Sequence, residues 1–149
     1  MLKQKKTILS SLMMGGLILG AVGCGSKVAG TYTLSQTSNG GLTQCNSVNL
    51  SMSENSNTVS GTGTSGTCTE TLTGTDLGNG TIQVTSLTLT LVNSGYGGYG
   101  SNQSCIYTGT ITVNNNVVTG TLTSSTVSTY SNYGAYCSPT ITISGSKTS

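Results

Sequence analysis

The stretch Tyr107-Thr-Gly-Thr-Ile-Thr-Val-Asn-Asn-Asn-Val-Val-Thr-Gly-Thr-Leu-Thr123 reads as two strands folded back on each other. Tyr107, Gly109, Ile111 and Val113 alternate with polar residues, and so do Val118, Gly120 and Leu122. Such alternation sends apolar and polar side chains to opposite faces of an extended chain. Asn114, Asn115 and Asn116 stand between the two rows, and asparagine tolerates the left-handed backbone that a tight hairpin turn demands. The same device occurs earlier. Asn55-Ser-Asn-Thr-Val-Ser-Gly-Thr62 resembles Asn114-Asn-Asn-Val-Val-Thr-Gly-Thr121 and follows an alternating row of its own, Val48, Leu50 and Met52.

Working outward, further rows appear: Val28, Gly30, Tyr32 and Leu34; Leu87, Leu89 and Leu91; Ile141 and Ile143. Ile82 and Val84 are out of phase with Leu87, which predicts a β-bulge at Thr85-Ser86. Asp76-Leu-Gly-Asn-Gly80 reads as another turn, and Gly63-Thr-Ser-Gly66 as either a turn or a bulge. The expected strands lie near 28–36, 43–54, 58–73, 80–92, 104–114, 117–125 and 138–146, seven of them or eight if the third divides. Helical spacing is absent after residue 23. Short turns and one-sided alternation indicate an all-β domain built as a single antiparallel meander, closed as a small barrel or split into a two-sheet sandwich. Gly30-Thr-Tyr32 resembles the opening of lipocalin-like and avidin-like barrels, although the tryptophan typical of those families is missing. That resemblance implies a barrel able to carry a small apolar ligand. The composition also admits a disordered polar stalk, but such stalks are proline-rich, and Pro139 is the single proline.

The N-terminus is of a different kind. Lys3, Lys5 and Lys6 precede an apolar run from Ile8 to Val22, the layout of a secretory signal. That run is too short to span a bilayer, which takes about 20 residues. It ends in Ala21-Val-Gly-Cys24, which resembles the lipobox of bacterial lipoproteins, with Ala21 where that family usually has leucine. The resemblance implies cleavage after residue 23, acylation of Cys24, and a tether over 24–27 leading into a domain over 28–149. Two or three acyl chains hold a protein on a membrane far longer than one. By the same resemblance, Gly25 in place of an inner-membrane-retaining aspartate favours the outer membrane over the plasma membrane.

Charge sets limits on partners. Without residues 1–23 the chain keeps Lys27 and Lys147 against Glu54, Glu70 and Asp76, and it contains no arginine. Phosphate backbones require clustered cations, so nucleic acid is not an expected partner. Apart from Cys24 the cysteines are Cys45, Cys68, Cys105 and Cys137, an even set that reads as two disulfides in an oxidising compartment. A hairpin turn centred between Ser56 and Asn57 sets Cys45 opposite Cys68, on the face away from Val48, Leu50 and Met52. Cys105 then pairs with Cys137. Structural zinc sites use closely spaced cysteine pairs, which this chain lacks, so no metal or other cofactor is expected.

The chain has no histidine, which excludes Ser–His and Cys–His nucleophile pairs. Glu54, Glu70 and Asp76 read as solvated surface charges rather than a catalytic pair, and no enzymatic activity is expected. Five of the seven tyrosines, Tyr96, Tyr99, Tyr130, Tyr133 and Tyr136, fall in two Gly/Ser/Asn-rich connections, 93–104 and 125–136. Tyrosine on a small polar backbone is the composition of adaptable recognition loops. In a meander two strands separate these connections, so both leave from one end. The sequence thus leads to a membrane-anchored envelope protein with a tyrosine-rich binding end for an envelope protein or a glycan; the alternatives are a coat lipoprotein without a ligand and a lipocalin-like carrier.

Overall fold

The computed structural model describes residues 27–38, 45–92, 103–126 and 137–149. They form eight strands: β1 (Gly30–Ser38), β2 (Ser47–Asn55), β3 (Thr58–Ser65), β4 (Cys68–Asp76), β5 (Thr81–Leu91), β6 (Gln103–Asn114), β7 (Val117–Ser124) and β8 (Thr140–Lys147). Each strand pairs antiparallel with the next, and β1 closes on β8, so the meander is a barrel without free edges. The sandwich alternative is thereby excluded.

Turn chemistry sets the register. Both copies of the repeated hairpin turn on two left-handed residues, Ser56 and Asn57 at φ 50° and 75°, Asn115 and Asn116 at 48° and 66°. That is the type I′ turn, whose twist matches the strands it joins. Met52 accordingly lies opposite Gly61, and Val113 opposite Val118. The segment Gly63–Gly66 is strand as far as Ser65, and the turn falls later than expected, on Gly66-Thr67. Ser65 pairs with Cys68 around Gly66-Thr67, and Gly66 takes the left-handed conformation at φ 58°. The expected single strand over 58–73 is therefore two. The expected bulge is present: register shifts between Val84 and Leu87 against β6, leaving Thr85 and Ser86 to face Thr108 alone.

Alternation fills the lumen. Leu34, Leu50, Leu72, Leu87, Ile111 and Leu122 are each almost wholly buried and point inward. An eight-stranded barrel is just wide enough for side chains to fill it, and each such side chain contributes roughly 1.5–3 kcal/mol. Glycines sit beside the large residues; Gly63 is opposite Leu50, Gly120 opposite Ile111 and Gly145 opposite Leu34. The outward residues of β2 and β3, such as Asn49, Ser51, Thr62 and Thr64, are polar and exposed. A barrel that spans a bilayer wears its apolar band outside; this one wears it inside.

The two ends differ. The hairpin end carries the type I′ turns, the Asp76–Gly80 turn, the start of β1 and the finish of β8. It is closed by Tyr32, fully buried, whose hydroxyl donates to the Val28 carbonyl at 2.8 Å. The chain ends are knitted there by Thr31 N–H to the Ser149 carbonyl and by Lys147 Nζ to the Ala29 carbonyl at 2.6 Å. From the opposite end, the loop end, leave the β1–β2, β3–β4, β5–β6 and β7–β8 connections.

Candidate functional site

Both disulfides lie at the loop end. Cys45–Cys68 and Cys105–Cys137 each hold their Cα atoms 5.5 Å apart, in the pairing expected from the hairpin. The expected face is corrected. Cys45 and Cys68 are buried within the core together with Leu50 and Met52, not turned away from them. Two local features explain this. The Gly66-Thr67 turn starts a new strand at Cys68, and β2 begins only at Ser47, so Cys45 stands outside the alternation that would have sent it outward. One bridge ties the β1–β2 connection to the start of β4. The other ties the start of β6 to the segment entering β8. Each contributes about 2–4 kcal/mol.

Directly inside these bridges the lumen turns polar. Cys68, Leu91 and Gln103 stand in register on β4, β5 and β6; Glu70, Leu89 and Cys105 form the next row inward, and Leu72, Leu87 and Tyr107 the third. Glu70 is 1% exposed, which corrects its expected place on the solvated surface. Alternation is the reason: Cys68, Glu70, Leu72 and Gly74 are all buried on one face of β4. Gln36, on β1, reaches across from a strand that is not a neighbour of β4 and donates its Nε2 to Glu70 Oε2 at 2.8 Å. Among the described residues Glu70 Oε1 has no partner, and neither does the buried Oε1 of Gln103. A buried acceptor left unpaired costs about 1–3 kcal/mol. Burial pushes the Glu70 carboxyl up to about 7, an effect the Gln36 hydrogen bond opposes only in part. Burial also raises Tyr107, despite a hydrogen bond with the Ser138 backbone.

The three carboxylates do not converge. Glu54 is the last residue but one of β2 and Asp76 ends β4, both at the hairpin end, where Asp76 Oδ1 accepts from Gly78 N–H at 2.8 Å. Glu70 alone is at the loop end, so the arrangement offers hydrogen-bond acceptors and one acid rather than a general acid–base pair. Among the described residues no group of three or more His, Cys, Asp or Glu side chains is gathered as metal ligands. The hairpin end carries a basin of about 420 Å³ lined by Lys27, Lys147, Asn79, Asn114, Asn115 and Asn116.

The β5–β6 connection, which includes Tyr96 and Tyr99, and the β7–β8 connection, which includes Tyr130, Tyr133 and Tyr136, both join strands at the loop end. These five tyrosines and Cys24 lie outside the described residues. Sequence reading missed Glu70, Gln36 and Gln103. The signal for Glu70 was its spacing of two from both Cys68 and Leu72, usable once Gly66 is read as a turn. Gln36 had a similar cue in Tyr32 and Leu34. Comparison with protein families, curated proteins and solved structures finds no match to this chain.

Proposed function

We propose that this chain is a non-catalytic binding module of the bacterial cell envelope, anchored through acyl chains on Cys24, that engages an envelope protein or glycan with its loop end. The observation that carries the reading is the polarity of the barrel. β1 starts at the hairpin end, while the tyrosine-rich connections and both disulfides belong to the other. Residues 25–29 separate Cys24 from β1, a tether of at most about 20 Å at roughly 3.5 Å per residue. The hairpin end, with Lys27 and Lys147, then stays beside the headgroups, and the loop end faces away from the anchoring bilayer. Juxtamembrane lysines favour that orientation on an anionic surface. Disulfides fit an oxidising compartment outside the cytoplasm.

The test has two arms. Cys24→Ser should abolish labelling by a fatty-acid analogue and move the exported protein from the membrane to the soluble fraction; unchanged fractionation, with no labelling of the parent, refutes the anchor. The mature protein should capture a partner from envelope extract or bind on a glycan array. Changing Tyr96, Tyr99, Tyr130 and Tyr133 together to Ser should weaken that binding more than tenfold while thermal unfolding stays cooperative. Binding at parental strength moves the functional surface elsewhere, and no binding at all favours a coat.

A further inference from the structure

Two buried side-chain oxygens lack a partner among the described residues, Glu70 Oε1 and Gln103 Oε1. Their agreement is informative. Both are acceptors, Glu70 in its ionised form, both belong to the inward rows, and both sit at the loop end, Gln103 in the outermost row and Glu70 in the next. With β5 alone between β4 and β6, two inter-strand spacings of about 4.8 Å set them on the order of 10 Å apart across the sheet. Hydroxyl donors are abundant in this chain, yet among the described residues none is turned onto either oxygen. Gln36 fixes the other Glu70 oxygen from the far wall of the barrel, which holds the carboxyl in one orientation and makes Gln36 a positioning residue.

We propose that the lumen at the loop end receives a positively charged hydrogen-bond donor, a protonated amine of a ligand or partner, on Glu70 and Gln103. The inference rests on the reading of the loop end as the binding end. An apolar ligand would leave both oxygens unpaired, and an anion would be repelled by the carboxylate, whereas an ammonium group supplies several N–H donors and an opposite charge. Of the other titratable groups described, Tyr107 shares this region of the lumen, while Lys27, Lys147, Glu54 and Asp76 belong to the hairpin end. No described cation therefore competes for Glu70. Binding an ammonium ion favours the ionised carboxyl, so the ligand and the Glu70 proton compete.

The experiment is an NMR titration of the mature protein in detergent micelles, with Glu side-chain carboxyls labelled and n-butylamine as probe, butanol and butyrate as controls. The amine should lower the Glu70 titration midpoint by about one pH unit, a tenfold coupling, and shift backbone signals of Glu70 and Gln103. Glu70→Gln should weaken amine binding at least tenfold, and Gln103→Leu severalfold, with folded spectra in both variants. Equal responses to butanol and amine, or full amine affinity in folded Glu70→Gln, overturn the proposal. A partner that depends on the loop tyrosines but binds Glu70→Gln at parental strength and ignores butylamine leaves the binding end standing and removes only this inference.

Discussion

Glu70 keeps its proton at pH values where a carboxyl in water has lost it. Its ordinary value near 4.5 rises to about 7 because burial penalises the charge. The folded state therefore binds this proton more tightly than the unfolded state. Stability is full below about pH 4.5, falls as pH rises towards 7, and levels off once the folded carboxyl is also ionised. A rise of this size corresponds to roughly 3 kcal/mol at most. Urea unfolding between pH 4 and pH 8 should show that decline in the parent, and Glu70→Gln should flatten it; an equally steep decline in the variant would assign it to other groups. The burial of this acid was hard to see in the sequence because one glutamate in a Thr-rich strand looks like solvation. Its inward phase depended on where a two-residue turn fell.

At the level of strands and turns, the type I′ hairpins were legible because left-handed pairs leave a chemical mark, asparagine between alternating rows. Their register then follows from geometry, and with it the Cys45–Cys68 pairing. The bulge at Thr85-Ser86 was legible for a similar reason, a slip in phase. Contacts across the lumen leave no such mark: nothing local connects Gln36 to Glu70. The disulfides are the cross-ties that can be tested separately. Cys45→Ala with Cys68→Ala, and Cys105→Ala with Cys137→Ala, should each lower unfolding stability by about 3 kcal/mol, measured by denaturant titration. The second pair should in addition weaken binding by the loop end, since that bridge joins the roots of the β5–β6 and β7–β8 connections. Equal affinity with and without it would separate fold maintenance from recognition.

For the molecule as a whole, the meander could be read from the order of its turns, but its closure could not. The β1–β8 ladder joins residues such as Tyr32 and Lys147 from opposite ends of the sequence, and no repeat or spacing announces it. Removing residues 140–149 should leave the edges of β1 and β7 unpaired, and unpaired edges invite other chains. Size-exclusion chromatography should then show species larger than those of the full-length chain; an unchanged elution would mean that the seam is dispensable. The seam also imposes an order in time. A chain synthesised from its N-terminus delivers β1 first and β8 last, so the opening strand must wait for the final one. Every other pairing is between neighbours and forms at little loop-closure cost, whereas this one spans nearly the whole domain. The slow event in the life of the molecule is thus the arrival of its own tail, and until then the barrel is an open, adhesive sheet.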